Sequence, residues 1–518
     1  MHVRCTVVAL GAAMCLWSAA PIGAPDLHGA DGLARVYDDI LDARFDQADS
    51  DIDRACGPAP KEACDVLAAT ITWWRILLDP ESRTLDAQFT AEADKALKST
   101  EAWTARAPKS AEAHFYAGAA AAVRVQWRVL RDQKLAAARD GKRIRQELDR
   151  AIALDPSLDD AHFGLGMYKY YADVAPAAAK VLRFLMLLPG GDRKEGLAEM
   201  QRARARGRLL QGEADYQLQI IYLWYEKRVG DAVALLESLH DRYPGNPLFL
   251  SDLANVRDNY QHDVTASLAT WRELLAAARD HRVNEAALAE VESRLAIAAG
   301  MDRLHQSDRA LEQLREVISA RPVRPYGALA SAYLALGRSE DRLGHRDAAI
   351  AAYRLAIWTA PSPDPDGIHD AAADAIDDAP DPTRAEAYRL SLEGMRKLER
   401  SDADGAEADL ARSISLNAQD GVARYRHGRA LEAMKSDTAA LAEFEKAISL
   451  ASRMPPSIAA AAHLEAARLD ERLGRRDDAI RLYQAASTWF GGSAETRAAA
   501  ARALTRLRVR QAIAPLER

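Results

Sequence analysis

The sequence predicts an all-α fold: a solenoid of about ten or eleven stacked helical hairpins, with no sheet. Three observations predict it. The 518 residues are 49% apolar and 28% charged but only 6% aromatic, and long stretches are rich in Ala, Leu, Arg, Asp and Glu, residues that favour helix. Apolar residues recur at helical spacing, as in Val36, Ile40 and Leu41 or Val66, Ile71 and Leu77. A complete helix–turn–helix unit lies between Tyr326 and Pro361 and recurs along the chain. Such an array absorbs length without building one central core.

In that unit Leu336 and Gly337 fall in the first helix, Ala349, Tyr353 and Ala356 in the second, and Pro361 at the exit. Glycine and alanine let two backbones approach, the large residue at 353 fills the space between hairpins, and proline ends the helix. On these residues the unit resembles a tetratricopeptide repeat (TPR). The resemblance implies a TPR-like solenoid, a right-handed superhelix whose concave groove binds a protein or peptide.

From the amino terminus onward, Met1 to Arg4 are basic, Cys5 to Ala20 almost wholly apolar, and small residues follow to Ala24. This is the layout of a secretory signal peptide, residues 1–24, and implies an exported, periplasmic or cell-envelope protein. Cys56 and Cys64 flank Gly57-Pro58-Ala59-Pro60. In an oxidising compartment they are expected to form a disulfide stabilising the fold by roughly 2–3 kcal/mol. Degenerate hairpins follow, with Trp73 and Trp74 pointing to different faces. The next unit has Phe115 and Gly118 in its first helix and Leu148, Ala151 and Pro156 in its second. About 14 extra residues, including Arg139 to Arg145, lengthen it relative to the usual repeat.

The following unit departs furthest. Gly166 belongs to its first helix and Gly196, Met200 and Ala203 to its second, with an apolar helix predicted near 175–189 inside the insert from Val174 to Asp192. A helix apolar on most sides is expected to be buried, with membrane or partner contact through residues 174–189 as the alternative. Phe163-Gly164-Leu165-Gly166, Lys180-Val181-Leu182-Arg183 and the run Gly190 to Leu197 make residues 163–247 similar to the tetratricopeptide repeat protein 39 and inclusion-body-clearance family. They are also similar to exported bacterial TPR proteins of undefined activity.

Regular repeats resume with first small positions at 232, 267, 310 and 349. Residues 362–384, rich in Pro and Asp, then read as an acidic linker between an N-terminal array, 25–361, and a C-terminal array, 385–518. Asp364, Asp366 and Asp370 do not have the spacing of a calcium loop. Gly394, Ala406 and Leu410 define one further repeat, Gly428, Ala440, Phe444 and Ala447 the next, and Ala467, Ala479, Tyr483 and Ala486 another. A helix from Ala494 to about Val509 is expected to cap the array.

The net charge of -7 and pI near 6.0 argue against nucleic acid as a partner. No motif for a metal, a cofactor or a nucleophilic site is present in the sequence. The candidate partner-binding residues are of two kinds. Arg338, Arg429 and Arg468 each follow the small residue of a first helix directly, with Asp341, Glu432 and Glu471 three residues later. They read either as i,i+3 ion pairs or as a guanidinium ladder for the carboxylates of a peptide. Tyr168, Tyr170 and Tyr171 on one first helix and Tyr222, Trp224 and Tyr225 on the next read partly as core and partly as a pocket for a peptide, glycan or lipid tail. The function expected is a non-enzymatic protein-interaction scaffold of the bacterial cell envelope. One alternative is an accessory subunit of an envelope transport or assembly machine that touches lipid. The other is a hydrolase, which would show clustered, buried carboxylates with perturbed pKa values in a pocket.

Overall fold

The computed structural model describes residues 27–175 and 190–513. Within them the chain forms twenty-four α-helices and no strand. Eleven hairpins account for twenty-two: α1 (Ala30–Leu41) with α2 (Phe45–Ala55), α3 (Lys61–Leu77) with α4 (Asp86–Arg106), α5 (Ala111–Leu130) with α6 (Lys134–Leu154), and α7 (Ala161–Val174) with α8 (Arg193–Arg206). Then come α9 (Gln211–Trp224) with α10 (Val229–Arg242), α11 (Pro247–Asn259) with α12 (Val264–Arg279), α13 (Ala286–Arg303) with α14 (Ser307–Ala320), and α15 (Ala328–Arg342) with α16 (Arg346–Thr359). After α17 (Ile368–Asp377) follow α18 (Pro382–Glu399) with α19 (Ala403–Leu416), α20 (Gly421–Ala433) with α21 (Asp437–Ser449), α22 (Pro456–Arg472) with α23 (Arg476–Thr488), and the single helix α24 (Ala494–Ile513). The expected leader and nearly all of the expected apolar helix lie outside the described residues.

Several hairpins are locked where a glycine of the first helix receives a large side chain of the second. A Cβ on Gly428 would lie 2.6 Å from the Phe444 ring, and one on Gly118 2.5 Å from Leu148; Gly337 meets the Tyr353 ring in the same way. In the divergent fourth hairpin the backbones themselves meet, since a Cβ on Gly166 would lie 2.7 Å from the Gly196 carbonyl oxygen. The turns repeat too. In nine hairpins the residue two places before the second helix has positive φ: Ala43, Asp132, Lys227, His262, His305, Gly344, Ser401, Lys435 and Gly474. Only two are glycine, so the other seven hold the left-handed conformation at a steric cost that hairpin packing offsets.

Successive windings of the solenoid touch. Asp42 accepts from the Gly245 backbone N–H at 2.7 Å, and its carbonyl from Asn284 at 2.8 Å. Asp79 accepts from the Tyr326 N–H at 2.9 Å and Asp263 from the Ala494 N–H at 3.2 Å. The first winding encloses one continuous core. Trp74 of α3, fully buried, packs 5.0 Å from the Tyr216 ring and 6.3 Å from the Phe249 ring. Its neighbour Trp73 is equally part of this core, which runs unbroken from Leu27 to Ile297.

The segment 362–384, expected as a linker, contains α17. Ile368 and Ala372, four residues apart, form an apolar stripe buried against Ala349, Tyr353 and Ala356, while Asp370, Asp374 and Asp377 stay exposed. Its aspartates suggested a solvated strand of chain; two well-spaced apolar residues suffice for a packed helix. The arrays on either side also meet directly, through Leu311, Leu343 and Leu392 and the Arg396–Asp308 and Arg309–Glu399 ion pairs. Cys56 and Cys64 form a disulfide, Cα–Cα 6.1 Å, joining the end of α2 to the start of α3.

Candidate functional site

The first helices of the C-terminal hairpins present a wall of guanidinium groups. Arg338, Arg429 and Arg468 are exposed and follow Gly337, Gly428 and Ala467, each buried against the second helix. Their i,i+3 carboxylates are engaged elsewhere. Asp341 accepts from the Tyr353 hydroxyl at 2.9 Å and from Arg346 at 2.8 Å. Glu432 pairs with Arg472 at 3.0 Å. Glu471 accepts from the Tyr483 hydroxyl at 3.0 Å and pairs with Arg506 at 2.7 Å. These acids therefore tie each first helix to the helices that follow. Among the described residues Arg338 has no carboxylate partner, Arg429 donates only to the Tyr425 hydroxyl at 3.3 Å, and Arg468 pairs with Glu465 at 2.9 Å.

Two grooves open along this wall. A cavity of about 930 Å3 lies between α22 and α24, lined by Arg468, Glu471, Arg472, Tyr483, Arg502 and Arg506. A smaller one, about 380 Å3, runs along α18 beside Arg389, Arg396, Lys397 and Arg400. From the sequence α24 is expected only as the polar cap of the array. The arginine pairs Arg468/Arg472 and Arg502/Arg506 were the signal, since i,i+4 spacing puts both members of each pair on one helix face.

The aromatic residues divide. Tyr170 is fully buried, and its ring meets Tyr171 at 5.7 Å and Tyr225 at 5.9 Å, with Tyr171 and Tyr225 5.6 Å apart. Its hydroxyl donates to Glu226 at 2.5 Å, a carboxylate also held by Arg193. Tyr222 is core, Tyr168 lies under the Arg145 guanidinium instead, and Trp224 is 55% exposed.

Perturbed carboxylates do occur inside the first winding. Burial raises Glu213 to about 7 against the opposing effect of hydrogen bonds from Trp74, Gln217 and Gln126. Burial raises Asp252 to about 7. Burial, reinforced by the charges of Asp252 and Asp79, raises Glu292 to about 8. The cavity that Glu213 lines has room for about 40 Å3 of solvent, closed in by Trp73, Phe115, Phe163 and Leu210. That is space for a water or two, against the several hundred Å3 of an ordinary ligand site. No cluster of His, Cys, Asp and Glu among the described residues could hold a metal ion.

The fold is that of a helical-hairpin repeat protein, with Arg338, Arg429 and Arg468 exposed on first helices of its C-terminal half. Residues 330–362 match the tetratricopeptide repeat model, so the helical-hairpin array contains a tetratricopeptide repeat. No curated protein matches the chain. Among solved structures, yeast Tom70 is similar at 13% identity over 85% of this chain and 96% of its own, TM-score 0.26. A tetratricopeptide repeat protein from Parabacteroides merdae is similar at 16% identity over 57% and 98%, TM-score 0.26. The human IFIT1 dimer with m7Gppp-AAAA is similar at 13% identity over 82% and 94%, TM-score 0.33.

Proposed function

We propose that the protein is a non-enzymatic interaction scaffold of the bacterial cell envelope, and that it holds an acidic segment of a partner protein against the C-terminal inner wall. One observation carries this reading: Arg338 and Arg429 stand exposed without carboxylate partners, because the acids beside them bind other groups. A guanidinium fork bound to an incoming carboxylate makes short, charge-assisted hydrogen bonds. Export is supported by the layout of residues 1–24 and by the Cys56–Cys64 bridge, a bond that persists in oxidising compartments. Replacing Arg338, Arg429 and Arg468 together by alanine is expected to weaken a partner isolated from the envelope fraction by at least tenfold, about 1.4 kcal/mol, with little change in stability. Unchanged affinity rejects the wall.

A second reading is favoured by the exposed Trp224 and Tyr225. Tyr225 stands beside Tyr171, four residues before Ala175, while a Cβ on Gly191 would meet the Lys169 and Asp173 backbone. Aromatic side chains of this kind settle at a lipid–water boundary. Contact with an envelope membrane predicts co-sedimentation with anionic vesicles that Trp224→Ser with Tyr225→Ser reduces; equal co-sedimentation of the double variant removes this reading.

A further inference from the structure

We propose that the protein associates head to tail with a second copy of itself, the acidic outer face of α2 seating between the arginine rails of α22 and α24. This rests on the groove reading above and names an occupant for its C-terminal end. The α2 sequence carries four aspartates against one arginine. Asp46, Asp49 and Asp53 recur at i, i+3 and i+7, which places them in one stripe. All three are exposed, while Phe45, Ala48 and Ala55 anchor the opposite face in the core. Arg75 of α3 holds one oxygen each of Asp46 and Asp49, at 2.9 and 2.8 Å, and Asp53 has no ion pair among the described residues.

At the other end, α24 carries five arginines against one glutamate. Arg502 and Arg506 sit one turn apart on it and face Arg468 and Arg472, one turn apart on α22, across the cavity of about 930 Å3. Glu471, the carboxylate in that lining, is already taken by Arg506 and Tyr483. Arg502 has no carboxylate partner among the described residues. Arg468 is held by Glu465 and Arg472 by Glu432 and Asp437, so the positive excess lies on α24, with Arg502 its unpaired member beside the groove, and the negative excess on α2.

The spacings agree as well as the charges. Both rails and the stripe are written on α-helices, so their charged groups recur at the same interval of about 5.4 Å. A helix laid in the groove meets successive guanidinium groups with successive carboxylates, the helix-in-groove mode of recognition. Each end packs against its own chain on one side: α2 mainly on α1 and α3, α24 on α22 and α23. Donor and acceptor surfaces differ, so the contact is heterologous and can repeat from copy to copy. A net charge of -7 opposes indiscriminate association. Opposed charges at the two ends favour this one arrangement.

Sedimentation velocity on the full chain tests it. At about 20 mM salt the wild type is expected to form dimers and longer species that dissociate at about 500 mM, where screening shortens to a few ångströms. Asp49→Ala with Asp53→Ala, and separately Arg502→Ala with Arg506→Ala, are expected to weaken association roughly tenfold. Mixing the two variants leaves one complementary contact, so the mixture is expected to form a 1:1 complex and nothing longer. A wild type monomeric at low salt, or variants that fail to complement, overturns the proposal. A fluorescent peptide of residues 45–55 separates it from the groove reading. Peptide binding to a monomeric wild type overturns self-association and leaves the groove intact. A monomeric wild type that ignores the peptide overturns both.

Discussion

Trp74 shows how one residue decides what the first winding can do. It is fully buried between Tyr216 and Phe249, and its indole N–H donates to Glu213 at 3.1 Å. Trp74→Ala removes that bond and leaves a large cavity, and is expected to cost about 3–5 kcal/mol in a urea titration. The adjacent pair Trp73-Trp74 was legible in sequence as at least partly core; that both are buried follows from α3 being wrapped on two sides. The carboxylates beside it were not legible, because 76 acids in one chain say nothing about which are enclosed. Glu213, Asp252 and Glu292 have folded values of about 7, 7 and 8, above the unfolded value near 4. The folded state binds more protons there. Their stabilising contribution is full below about pH 4 and is lost as pH rises through 7 to 8. Burial and the charge of Arg202 lower His162 to about 4, which acts oppositely but only below its unfolded value near 6.5. Thermal stability is therefore expected to fall between pH 6.5 and 8.5, and Glu213→Gln to flatten that fall. A flat wild-type profile over this range contradicts the burial of these groups.

At the scale of elements, hairpins were legible wherever a small residue in one helix answered a large one in the next, as Gly428 answers Phe444 and Gly337 answers Tyr353. The turns were not, since seven of the nine left-handed positions are occupied by Ala, Asp, Lys, His or Ser. Nor was α17, whose aspartates hid the Ile368–Ala372 stripe. Asp263 could be named as a cap for α12 from its place alone, but not for a second helix. It accepts from the Ala266 N–H at 3.0 Å and, across 231 residues, from the Ala494 N–H at the start of α24. Beside it the His262 and Phe490 rings lie 4.9 Å apart. Asp263→Ala thus uncaps two helices at once. It is expected to cost about 2 kcal/mol, near twice a single cap, and to speed hydrogen exchange in residues 494–500 as well as 264–267. Exchange that changes only near 264–267 means the windings do not meet there.

For the whole molecule, the repeat period announced a solenoid but could not say that its windings touch, because contacts over 203 to 247 residues leave no local trace. That contact has a functional consequence. A solenoid ordinarily offers its concave surface to partners; in the first winding Trp73 and Trp74 of α3 are buried in a continuous core, whereas Arg338, Arg429 and Arg468 are exposed. The ladder Arg338, Arg429 and Arg468 was visible as a repeated position. That Arg338 and Arg429 have no carboxylate partner among the described residues was not, because the sequence places Asp341 and Glu432 within reach and only the folded chain assigns them to other groups; Arg468 pairs with Glu465. The most direct measurement is site-specific photo-cross-linking in the intact envelope, with the reactive residue placed in turn at 338, 429 and 468 and, inside the first winding, at 217 and 252. Adducts of one shared mass from at least two of the first three positions, and none from 217 or 252, are the predicted result. Adducts from 217 or 252 with none from the arginine positions would contradict it.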